Sequence, residues 1–340
     1  MLLYNYARNG EAVRAAPLLQ RLRSASADVR GLDPVITAEL MLACVNYHQS
    51  HFDWRRAART QPTEVFQAAR SLVVGAAQLD CARGAWAALL KEDTASDAWG
   101  TNRRFNAFFG LQSLLVASGQ YEELTGLYDN HQEFREFEGY YAIIAVIVGA
   151  PLQERAADQA EILRTKLKAG LVTDIDLWFL GLWEAHEGNA LAAMNVHESL
   201  NALVSDSATR RRRLLAKSIE AHATLASGDS GRAVALLQQL TPTATGAELA
   251  WYPWESLGPA RLALAKLLVA RGEYESALRV ASNFDAPAAA APYLVYLPHS
   301  LALRLQVARQ LGDTAMERRS RERLAKIGRT DLLMFPSPVD

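Results

Sequence analysis

One phrase returns along this chain: an apolar segment of helical period, a tight Gly-Asp or Gly-Glu turn, then an Ala-rich segment of the same period. Its clearest copy is Ala260 to Phe284, ARLALAKLLVARGEYESALRVASNF. Turn glycines recur at Gly10, Gly119, Gly188, Gly228, Gly272 and Gly312, and the last four are separated by 40, 44 and 40 residues. Repetition at such a period marks a solenoid, because one helical hairpin cannot bury its apolar face alone and does so against its neighbours. The expectation is an all-α, right-handed superhelix of about eight antiparallel helical hairpins, elongated and nearly free of strand. It runs over residues 1–333 as a single α-solenoid, with a tail at 334–340 that frays.

Within the clearest copy, Leu262, Leu264, Leu267, Leu268 and Val269 crowd one broad face, and Gly272 ends the helix where positive φ is wanted. The next helix begins near Tyr274 and turns Ala277, Leu278, Ala281 and Phe284 inward. Ala15, Ala193, Ala233 and Ala277 mark the close approach of two helices in their hairpins. Weaker units fit near Phe52-Asp53-Trp54, Leu79-Asp80 and Gly149. Pro253 and Pro259 lie six apart, as do Pro292 and Pro298, each pair leading into a long helix. Proline is tolerated in a first turn, so either the helix starts at the second proline or a kinked lead-in precedes it. Only nine residues precede Gly10, too few for a full first helix of this pattern, and Leu2, Leu3, Tyr4 and Tyr6 form an apolar stub. The chain is therefore expected to begin inside a repeat.

The unit around Gly272 resembles a tetratricopeptide repeat. Leu264 and Ala265 take the Leu-Gly positions of that family's first helix, Leu268 its aromatic position, Gly272 and Tyr274 the turn, and Ala277 the small residue of the second helix. The unit at Gly188 carries Gly181 at the family's glycine, with Trp178 beside the aromatic site. Leu124 and Glu317 depart from the pattern where the alanine belongs. The long period is similar to that of the carboxy-terminal repeat regions of large bacterial serine/threonine kinases and ATP-dependent transcriptional activators, most of all in YLPHSLALRLQVARQLGDTAMERRSRERLAKIG. The resemblance implies a non-catalytic scaffold that binds a protein or peptide segment on a concave face. It also implies an alternative, a regulatory sensor region attached to a kinase or activator and binding a peptide or small effector. The family's concave positions fall on Phe109 and Ser113, Trp178 and Leu182, His222 and Leu225, Lys266 and Val269, and Gln306 and Arg309.

Composition limits the partners. With 36 basic against 37 acidic side chains there is no general pull on nucleic acid or anionic lipid. Four consecutive arginines, Arg210 to Arg213, stand at the start of a helix, where they oppose its macrodipole and cannot share one face. They read as a solvated junction, with a patch for an acidic segment as the sharper alternative. The aromatics Trp251, Tyr252 and Trp254 read as a packed lead-in. The longest apolar stretch, Tyr140 to Leu152, is too short to span a bilayer. Cys44 and Cys81 are the only cysteines and read as buried thiols of a reducing compartment, so a cytoplasmic protein is expected.

Catalytic chemistry finds little footing. No phosphate-cradling loop, nucleophile elbow or HExxH motif occurs, and neither metal nor cofactor is expected. His48 and His51 share a helix face, yet Asp53 is the only nearby carboxylate. Glu133, Glu136 and Glu138, interleaved with Arg135, read as solvated rather than as an acid-base pair. His186, His197 and His222 lie one per helix, as polar-face or groove residues.

Overall fold

A computed structural model describes residues 2–25, 33–46, 52–92, 98–203, 210–240, 257–285 and 293–334. His48, His51, the aromatics at Trp251 to Trp254 and residues 335–340 of the tail lie outside them. The chain divides into two compact units, Met1–Leu115 and Val116–Asp340. Every regular element among the described residues is helical, and neighbouring helices pack in antiparallel hairpins: an all-α helical-repeat fold.

The first unit contains α1 (Leu2–Arg8), α2 (Ala12–Ala25), α3 (Pro34–Asn46), α4 (Trp54–Thr60), α5 (Pro62–Leu72) and α6 (Leu79–Lys91). It also holds most of α7 (Ala98–Ala117). Its centre is Trp86, fully buried on α6, lying where a side chain at Gly110 of α7 would stand: a Cβ there would fall 2.4 Å from the indole. Cys44 on α3 and Cys81 on α6 are joined by a disulfide, with their Cα atoms 6.0 Å apart. This corrects the expectation of two separate thiols. Both sulfurs are buried, and the packing of α3 on α5 and of α5 on α6 brings them together.

The second unit continues with α8 (Tyr121–Asn130), α9 (Arg135–Ile147), α10 (Gln153–Lys168), α11 (Asp174–His186) and α12 (Ala190–Ala202). It ends with α13 (Arg210–Ala226), α14 (Ser230–Gln238), α15 (Gly258–Ala270), α16 (Tyr274–Ser282), α17 (Leu297–Leu311) and α18 (Thr314–Ile327). Within it, α9/α10, α11/α12, α13/α14, α15/α16 and α17/α18 are the hairpins. The repeating turn has a simple construction. At Gly272, with φ of +74°, the glycine N–H bonds the Val269 carbonyl and the Glu273 N–H reaches back to Leu268. That pair of bonds satisfies carbonyls which the end of α15 would otherwise leave bare. The same pair recurs at Gly188, Gly228 and Gly312. The acid after the glycine has its own task. Asp229 and Asp313 accept the backbone N–H of Arg232 and Met316, so one residue stops a helix and the next caps the following one.

Ala193, Ala233 and Ala277 are buried where paired helices approach, as Ala15 is in the first unit. Between hairpins, Gly181 of α11 lets α13 come close, since a Cβ there would sit 2.7 Å from Ile219. The second proline of each pair, Pro259 and Pro298, stands in the first turn of α15 and α17, one residue after the helix begins; Pro253 and Pro292 lie outside the described residues.

The last hairpin of this unit comes back against its opening loop. A Cβ at Gly119 would lie 3.2 Å from Cδ of Arg329, and one at Gly328 would lie 3.7 Å from the Ser118 carbonyl oxygen. Tyr121 at the start of α8 feels the charges of both Arg329 and Asp331, although burial is the larger cause of its raised pKa. In the same way Tyr141 on α9 acts on Tyr296 at the start of α17. The two ends of the unit therefore meet.

Candidate functional site

In the unit Val116–Asp340 the first helices of successive hairpins adjoin one another, and four of them carry basic side chains close enough to act on one another. His186 ends α11, His222 lies on α13, Lys266 on α15 and His299 on α17. The Lys266 charge depresses the pKa of His299 on the adjoining helix and also that of His186, with α13 standing between α15 and α11. His186 in turn acts on His222. Burial is the dominant cause in each of these imidazoles. It holds His222 down at about 4 and His299 at about 3, against 6.5 for an ordinary imidazole, so both are neutral at pH 7.

Two of these imidazoles carry an unmet need. His299 is only 7% exposed, and its Nε2 has no hydrogen-bond partner among the described residues. The Nε2 of His222, on a half-buried side chain, is in the same state. Leaving such a group buried and unpaired costs about 1–3 kcal/mol. Lys266 remains open to solvent, and no carboxylate among the described residues pairs with it. Burial of its stem by the surrounding helices lowers its pKa. The neighbouring arginines are committed. Arg329 binds Asp331 at 2.8 Å, Arg309 binds Glu317 at 3.3 Å, and Arg304 and Arg323 both hold Asp285.

Among the residues expected to line a concave face, the structure separates two groups. Trp178 is buried between α11 and α13, with its Nε1 donating to the Ser218 hydroxyl at 3.3 Å and its ring set edge-on to Phe179. Leu182 and Val269 are core residues as well. His222, Leu225 and Gln306 are half-buried, and Lys266 and Arg309 are exposed. Phe109 and Ser113 belong to α7 in the first unit. Ser113 is fully buried there and bonds back to the Phe109 carbonyl at 2.8 Å. No family model, characterised protein or solved structure matches the chain. The site is therefore judged on its own chemistry.

His299 is the residue that sequence reasoning missed. Its signal was a polar His-Ser pair, His299-Ser300, inside an otherwise apolar helix start, where Ser300 donates to the Ala281 carbonyl and His299 is left over. The charged motifs that drew attention in the sequence have structural work instead. Arg211 holds Asp174 at the start of α11, and Arg212 bonds the Leu203 carbonyl. Glu138, expected to be solvated, is 7% exposed and ion-paired with Arg155, which also binds Asp129 at 2.8 Å. Burial raises the Glu138 pKa despite that guanidinium. No group of three or more metal-ligating side chains occurs among the described residues. None of the described helices is long and apolar enough to cross a membrane.

Proposed function

We propose that the unit Val116–Asp340 is a non-catalytic, tetratricopeptide-like binding module that takes a peptide segment of another protein on its inner face. The observation that supports this reading is the set of unpartnered polar groups on successive first helices, His222, Lys266 and His299, beside the half-buried Leu225 and Gln306. Helical-repeat surfaces of this kind recognise chain segments through side chains placed one hairpin apart. A second reading makes the module the sensor region of a kinase or transcriptional activator, binding a peptide or small effector. The meeting of the unit's two ends favours it, because closure limits the length of chain that can lie inside. The Cys44–Cys81 disulfide goes with an oxidising compartment and speaks against the cytoplasmic setting expected from the sequence.

The test is selection of random linear peptides displayed on phage against the full chain. Enriched peptides are expected to lose affinity by about tenfold or more in Leu225→Glu on the inner face, the size expected for a contact at the centre of an interface. They are expected to bind normally to Leu191→Glu on α12, whose side chain is 76% exposed. Circular dichroism of both variants separates lost binding from lost fold. Failure to enrich any peptide, or equal binding by both folded variants, contradicts the reading.

A further inference from the structure

We infer that the Cys44–Cys81 bond is put in place by thiol–disulfide exchange on the chain before the unit Met1–Leu115 has folded, and that folding then seals the bond against thiols. This step is independent of what the second unit binds.

Attack on a disulfide needs a line of approach. The incoming thiolate meets one sulfur opposite the bond that breaks, so at least one sulfur must be reachable from solvent. Neither is, since Cys44 and Cys81 are both 0% exposed. Cys44 lies late in α3, with Leu40 and Met41 buried one turn earlier, and Cys81 lies at the start of α6, with Ala82 and Ala85 buried beside it. Helix α5 packs on both α3 and α6 and adds Val65, Ala68, Ala69 and Leu72, all closed to solvent. Helix α4 also packs on α6, where Trp54 lies so close to Gly84 that a Cβ there would fall 2.7 Å from the indole. On each of these sides the cover is a packed helix, so a thiol reaches sulfur only when helices part. The same closure works in the opposite direction. Two reduced thiols folded into these positions, with Cα atoms 6.0 Å apart, would stand within bonding range of each other yet out of reach of an oxidant. Bond formation therefore precedes closure of the unit.

The supplying reaction has a definite form. In the open chain the thiolate of one cysteine attacks a carrier disulfide, R–S–S–R, so that a mixed disulfide forms and one carrier thiol leaves. The thiolate of the other cysteine then attacks the cysteine sulfur of the mixed bond, and the second carrier thiol leaves. Two protons and two electrons pass from the chain to the carrier, which ends as two thiols. A sequence separation of 37 lets the two cysteines meet in an open chain at modest entropic cost. Once the unit is folded, loss of the bond waits on its opening. Heating supplies that opening, so a melt in reductant still reaches the bond.

The experiment starts from the full chain, reduced in urea and freed of reductant. It is refolded by dilution with oxidised glutathione present from the start, or with oxidised glutathione added only after circular dichroism shows refolding to be complete. Samples taken over time are alkylated with iodoacetamide in urea, and the modified cysteines are counted by mass. The bond is expected to form in the first case, and about a hundredfold or more slowly in the second, because oxidation then waits on rare opening of the unit. A second measurement needs no refolding of the reduced chain. The oxidised, folded chain is treated with dithiothreitol at 25 °C, with and without urea, and its bond is expected to be lost about a hundredfold or more slowly without urea. Oxidation of the folded, reduced chain as fast as that of the open chain would overturn the order of events. Loss of the bond from the folded chain as fast as in urea would overturn the seal and make the pair an exchangeable one. Two alkylated cysteines after refolding with oxidised glutathione throughout would overturn the bond itself.

Discussion

Acidification from pH 6.5 to 5 is expected to cost the unit Val116–Asp340 about 3 kcal/mol of stability through His222 and His299 alone. In the folded chain these imidazoles take up a proton only at about 4 and about 3. In the unfolded chain they do so near 6.5. Their folded pKa values are lowered, so the unfolded state binds more protons throughout this window. The stability they support is fully present above pH 6.5. It is lost as pH falls from there toward the folded values, at up to about 2.7 kcal/mol per pH unit for the pair. His186, also lowered, acts in the same direction. The salt-bridged carboxylates Asp285 and Asp331 have lowered pKa values and titrate below this window, whereas Glu138, raised by burial, works against the imidazoles on acidification. Urea unfolding of the parent and of the double variant His222→Gln, His299→Gln between pH 7 and 5 checks this. The parent's midpoint should fall steeply and the double variant's should fall much less, with His186 still contributing. Equal slopes would mean that neither imidazole is held neutral by the fold.

Opening the disulfide is expected to be about as damaging to the unit Met1–Leu115. Cys44 and Cys81 close a loop with a sequence separation of 37. Cross-linking a loop of that length removes chain entropy from the unfolded state worth about 4 kcal/mol. Thermal unfolding followed by circular dichroism, for the parent and for Cys44→Ser, Cys81→Ser, measures it. The parent should melt many degrees higher, and the two should converge under reductant. Coincident melting without reductant, or two thiols alkylated in the denatured, unreduced chain, would show that the bond does not form.

The repeat was legible because its grammar is local. A glycine that must take positive φ, an acid able to cap the next helix and alanines at the crossing are each decided within a few residues, and the structure has them in those roles at Gly228-Asp229 and Gly312-Asp313. The disulfide was not legible, because it depends on how α3, α5 and α6 stack; a spacing close to one repeat period was the only hint. The inner face was legible in part. Register placed His222 and Lys266 correctly on first helices, but it could not say that Trp178 turns into the gap against Ser218 while His299, near the start of its helix, joins the inner cluster. Those outcomes follow from how adjacent hairpins pack, α11 on α13 and α15 on α17, which the repeat period alone does not decide.

Closure of the unit Val116–Asp340 joins elements far apart in the chain, and it can be tested at one position. Tyr121, half-buried at the start of α8, feels Arg329 and Asp331. With Tyr121→benzoylphenylalanine, irradiation of the folded chain should attach the benzophenone to the segment around Gly328–Leu332, and mass spectrometry of the digest should recover that cross-link as a major product. Adducts confined to α7, α8 and α9, with none on the segment after α18, would contradict the closed unit.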